Sequence, residues 1–169
     1  MIKELLSTEH SKKVTSQIID MALEDKAALQ ELMTCFFSDD SRICQRAAWP
    51  IGILAERQSK ILQPYILKMI AFASKPVHNA IKRNVVRSFQ YMEIPEKYKG
   101  KVYQFCFDLA SRPSEAIAVR CFSLRVCLNI ARKHPELLNE IVELVAILEA
   151  DESPAVRSVL RHAHKIIGK

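Results

Sequence analysis

The chain has 169 residues, 49% hydrophobic and 26% charged, enough material for one domain with a sizeable buried core. Only three glycines occur, and there is no Asn-Gly or Asp-Gly turn, which argues against a β-rich fold. The net charge of +6 favours acidic partners over basic ones. No apolar run approaches the roughly 20 residues of a membrane span; the best stretch, 142–148, is broken by Glu143 and flanked by Glu149. Lys3 and Glu4 follow Met1 too closely for a signal-peptide core, so the expected location is cytoplasmic. Cys35, Cys44, Cys106, Cys121 and Cys127 make an odd set without a CxxC pair and sit in apolar runs. They are expected to be buried, reduced thiols rather than metal or redox ligands.

In chain order, residues 1–26 form a lead-in. Ile2, Leu5 and Leu6, then Val14, Ile18, Ile19, Met21, Ala22 and Leu23, have helical spacing around a polar break at 7–11, which predicts two short helices. From residue 27 a register of 37 takes over, marked by Arg46, Arg83, Arg120 and Arg157. Ten residues before each arginine stand Phe36, Ala73, Ala110 and Ile147; two after stand Ala48, Val85, Phe122 and Val159. Each unit therefore carries an apolar stripe on either side of a break, the pattern of two antiparallel helices, A then B. The breaks are Ser38-Asp39-Asp40-Ser41, Ser74-Lys75-Pro76, Ser111-Arg112-Pro113-Ser114 and Asp151-Glu152-Ser153-Pro154, whose serines and aspartates are suited to capping helix B. Pro50 falls inside the first B helix and predicts a kink there.

The motif Asp-x5-Arg with an apolar residue before the arginine is complete at Asp151…Val156-Arg157 and partial at Val119-Arg120 and Asp40…Arg46. With the helix-pair register, it makes the chain resemble a HEAT-repeat α-solenoid over residues 27–169. The resemblance implies an all-α, right-handed α-α superhelix of about four repeats. Their expected bounds are 27–63, 64–100, 101–137 and 138–169, behind an N-terminal cap at 1–26, all within a single domain 1–169. It further implies that Asp40, Arg46, Arg83, Arg120, Asp151 and Arg157 form an internal structural ladder, and that the B helices line the binding face. The period is short beside the roughly 40–47 residues common in such arrays, and an irregular helical bundle is the alternative.

Catalytic signatures are missing: no GxGxxG, GxxxxGK[ST], HExxH or GxSxG occurs. His162 and His164, two residues apart, face different sides of a helix, and no metal or other cofactor is expected. Charge placement says more. The four B segments together hold +11, the four A segments −4 and the lead-in −1. Beyond the ladder, Arg87, Tyr91, Arg125, Arg161, His162 and Lys165 are the candidate binding surface, with Arg57, Arg132 and Lys133 near helix C-termini, where they also complement the helix dipole. The expected function is a non-enzymatic scaffold, monomer or weak dimer, that binds an acidic protein or peptide segment. Phosphate-backbone binding to nucleic acid is the alternative, and a glycosylase-like enzyme of the same superhelical family is a remoter one.

Overall fold

The structure, a computed structural model, describes residues 1–151 and 153–168. Glu152, part of the expected fourth break, and Lys169 lie outside the described residues. The helices are α1 (Ile2–Thr8), α2 (Lys12–Glu24), α3 (Lys26–Phe36), α4 (Ser41–Gln58), α5 (Ile66–Ala73), α6 (Asn79–Tyr91), α7 (Glu96–Ser111), α8 (Ile117–Ala131), α9 (Leu138–Leu148) and α10 (Pro154–Ile167). Two 3-10 segments, Ser59–Tyr65 and Pro135–Leu137, interrupt the series, and no strand occurs among the described residues. The chain divides into two compact units, Met1–Glu93 and Ile94–Lys169.

In the first unit, helix starts are written into the sequence. Ser11 accepts from Val14 N (3.2 Å), Asp25 from Ala27 N (2.9 Å), and Asp40 from Arg42 N and Ile43 N (both 3.0 Å). Each satisfies backbone donors that the first helical turn leaves without a partner. At α6 the cap is His78, whose Nδ1 accepts from Ala80 N (3.1 Å). Helix α4 runs on from Ser41 to Gln58 through Pro50, which is buried. Leu32 and Phe36 of α3, Ile51 and Leu54 of α4, Ile66 and Met69 of α5 and Phe89 of α6 are fully buried. Each contributes roughly 1.5–3 kcal/mol of burial free energy. Trp49 is half-buried, its ring 5.3 Å from that of His10.

Arg46 reaches from α4 to the end of α1, where Nη1 donates to Leu6 O (2.7 Å) and Ser7 O (3.2 Å). A guanidinium suits this position because the last carbonyls of a helix have no partner of their own and carry partial negative charge. Arg46→Ala is expected to cost about 1–2 kcal/mol. Hydrogen exchange should locate the loss as faster exchange in residues 2–8, with the α3 amides unchanged; uniform exchange in both would contradict the clamp.

In the second unit, α7 begins just after Pro95 and α8 begins without a side-chain cap, Ala116 standing where a serine was expected. Helix α10 has Pro154 in its first turn and Ser153 Oγ accepting from Val156 N (3.4 Å). It stops at Gly168, which takes the left-handed conformation at φ 82° that side chains other than glycine avoid. Val102, Cys106 and Ala110 of α7 bury with Leu124, Cys127 and Leu128 of α8. Ile141, Leu144 and Leu148 of α9 bury with Val156, Val159 and Ala163 of α10. All five cysteines are free and buried, and burial raises each thiol above its ordinary range.

Candidate functional site

The four register arginines do not share an environment. Arg120 is 6% exposed and Nε donates to Ala110 O (3.0 Å). Arg46 is half-buried on the α1 carbonyls, and Asp40 caps α4 instead of pairing with it. Arg83 and Arg157 are exposed and make no hydrogen bond or ion pair among the described residues. Asp151 accepts from Ser153 N (2.8 Å), and that bond, more than the nearby Arg120, holds its carboxyl below the usual carboxylate range. Asp40, Arg46 and Arg120 therefore each serve a different helix end, and Arg83 and Arg157 serve none among the described residues.

Of the candidate binding residues, Arg87 and Tyr91 lie on α6. Arg87 Nη2 is 2.9 Å from Glu56 Oε2 of α4, which neutralises its charge within the first unit. Tyr91 is 40% exposed. The other four belong to the second unit, where α8 packs on α10. Neither helix contains an acidic residue, whereas α9 and the residue after it carry Glu140, Glu143 and Glu149. Arg125 Nη2 donates to Ser158 Oγ (3.4 Å), linking α8 to α10. Arg132, just past α8, places Nη2 3.2 Å from His162 Nε2.

An arginine can only donate, so that contact makes Nε2 the acceptor and leaves the imidazole proton on Nδ1. Desolvation first, then the charges of Arg132, Arg125 and Lys165, lower the His162 pKa from its ordinary value. Arg161 and Lys165, one turn apart on α10, are exposed. No carboxylate among the described residues lies within ion-pair distance of Arg125, Arg132, Arg161 or Lys165. His164 instead points to Glu149, Nε2 to Oε1 3.3 Å. The packing gathers Arg125, His162 and Lys165 and sets Arg132, placed by its sequence position near a helix C-terminus, beside them.

A family profile described as HEAT repeat domain matches residues 2–167. The chain belongs to the HEAT repeat domain family. No curated protein matches it. Its helices are those of an all-α HEAT-like solenoid, a helical repeat scaffold of the kind that commonly serves protein interaction. Among the described residues no helix is long and apolar enough to cross a membrane, and no group of three or more His, Cys, Asp or Glu is placed to hold a metal ion.

Proposed function

We propose that this HEAT-repeat chain is a non-enzymatic interaction module whose α8–α10 face receives an acidic protein segment. On this reading α3–α4, α5–α6, α7–α8 and α9–α10 are the repeats, and α1–α2 the N-terminal element. The observation that carries it is the group of Arg125, Arg132 and Lys165 around His162, with Arg161 exposed on the same helix and no carboxylate among the described residues paired to any of the four. Cations left unpaired on two packed helices create a positive potential that an acidic segment discharges, and such attraction steers association and weakens with salt. A protein partner suits the face better than nucleic acid, because α10 has no Phe, Tyr or Trp for base stacking and α8 only the half-buried Phe122.

Fluorescence anisotropy with a labelled glutamate-rich peptide tests this. Binding is expected at about 50 mM salt and should fall steeply as salt rises. The double change Arg132→Glu with Arg161→Glu should weaken it at least tenfold, about 1.4 kcal/mol. Arg87→Ala, which removes an already paired charge in the other unit, should leave affinity unchanged. Absence of peptide binding at low salt defeats the proposal, and tighter binding of a labelled DNA duplex than of the peptide replaces it with the phosphate-backbone reading.

A further inference from the structure

Arg125 lies within α8 and Arg132 caps its end in helical conformation, so the two leave the helix on one side, two turns apart. Ser158, His162 and Lys165 follow one another along α10 at spacings of four and three, which also puts them on one side. Arg125 Nη2 meets Ser158 Oγ at 3.4 Å, and Arg132 Nη2 meets His162 Nε2 at 3.2 Å. The two pairs advance together, so α8 and α10 run in the same direction with these stripes facing each other. Lys165 continues the α10 stripe beyond His162.

Both guanidiniums rest on neutral acceptors. A guanidinium offers five N–H donors in a fixed fork, and its bonds to an anion are usually about 2.7–2.9 Å long. Arg125 has instead a long bond to a hydroxyl, and Arg132 one to an imidazole nitrogen. Desolvation first, then the charges of Arg132, Arg125 and Lys165, lower the pKa of that imidazole, so it is uncharged near neutral pH. In the first unit, by contrast, Arg87 Nη2 is 2.9 Å from Glu56 Oε2. Neither α8 nor α10 contains an acidic residue, and Glu149, which follows α9, faces His164. The fold thus brings three cations to one uncharged imidazole without supplying an anion among the described residues.

Cations that converge on one point suit a single compact, multiply charged group, whereas a run of carboxylates suits cations spread along a surface. A carboxylate brings two oxygens and one charge, and each phosphodiester of a nucleic acid is also singly charged. A phosphomonoester brings about −1.5 to −2 in charge and three acceptor oxygens on one centre, enough for two forks and an ammonium. Arg161 stands apart from this group: it is exposed and, next to His162 in sequence, leaves α10 in a different direction. We propose that the acidic segment received by the α8–α10 face is a phosphorylated one, its phosphoserine or phosphothreonine held by Arg125, Arg132 and Lys165. The phosphoryl oxygens take over the donors that Ser158 and His162 accept in the free protein. This rests on the interaction-module reading and narrows its partner to a phosphomonoester on a protein chain.

Fluorescence anisotropy of the full chain with one short labelled glycine–serine peptide, made with a central phosphoserine, glutamate or serine, tests this. At about 150 mM salt the phosphopeptide should bind with a Kd on the order of 0.1 mM. The glutamate form should be at least tenfold weaker and the serine form without measurable binding. The phosphopeptide should also shift the His162 imidazole resonances in NMR. Arg132→Gln, a change at an exposed position, should melt as the parent does and lose at least tenfold in phosphopeptide affinity. Arg125→Lys keeps the charge but not the fork and should lose about fivefold, while Arg161→Ala should stay within about twofold. Equal affinity for the phosphoserine and glutamate forms overturns this inference, as does Arg161→Ala costing as much as Arg132→Gln. If the longer glutamate-rich peptide binds while the phosphopeptide does not, this inference fails and the interaction-module reading stands. If neither binds at low salt, or a DNA duplex binds more tightly than the phosphopeptide, both fail.

Discussion

Arg120→Ala is expected to destabilise the second unit by about 2–3 kcal/mol, roughly 5–10 °C in melting temperature for a chain of this length. The guanidinium is buried at 6% exposure, and its Nε bond reaches Ala110 O near the end of α7. Carbonyls at a helix end have lost their intrahelical partners, so removing the donor leaves a buried acceptor desolvated and unmatched. The alkyl stem also packs against the core, and alanine gives that up as well. Part of the loss is offset: Nη2 of Arg120 is itself buried without a partner among the described residues, a cost that alanine removes. Arg120→Lys should fall in between, since it keeps the charge but cannot place a donor where Nε sits. Arg83→Ala and Arg157→Ala provide the contrast. Both arginines are exposed and without partners among the described residues, and each change should stay within about 0.5 kcal/mol of the parent by calorimetry. Four equal losses would restore a uniform ladder, and an unchanged Arg120→Ala melting curve would remove it altogether.

Gly52→Leu should be the most damaging single change in the first unit, at about 3 kcal/mol. Gly52 lies inside α4, which packs on α6. A Cβ added there would come within 2.5 Å of Asn84 Oδ1 and 3.3 Å of Asn84 Cγ. Asn84 has little room to withdraw, being 2% exposed with its Nδ2 donating to Ala80 O (2.8 Å). Gly52→Ala therefore sets a gain in helix propensity of about 1 kcal/mol against displacement of a buried amide. The displacement should win, giving a net loss of about 1 kcal/mol. Asn84→Ala clears the space, so the double variant should recover most of that loss. A thermodynamic cycle in urea measures the coupling directly; additive effects of the two changes would show that the helices part without strain at this point.

Several elements were legible because their cause is local. Asp40 and Ser153 cap the helices their spacing promised, since an N-cap bond spans only two or three residues. The lead-in's polar break likewise lies between α1 and α2. Misreadings arise where the deciding neighbour is remote in sequence. Arg87 looked available until the fold set Glu56 beside it, 31 residues earlier. For Arg132 it is likewise the packing that sets His162, 30 residues away, beside it.

The sequence by itself determined the all-α class, the alternation of paired helices and membership of the HEAT repeat domain family. These follow from apolar periodicity, breaks and capping residues, which act over a few positions and repeat along the chain. Only the tertiary structure decided what each repeated position does. Arg46, Arg83, Arg120 and Arg157 occupy one register, yet Arg120 is buried, Arg46 half-buried on α1, and the other two face solvent. Register sets where a side chain leaves its helix; whether it meets a helix-end carbonyl, a carboxylate or water depends on what the neighbouring helix presents there. The same dependence separates the paired Arg87 from the cations of α8 and α10, which meet no carboxylate among the described residues, and so singles out the face on which the proposed function rests.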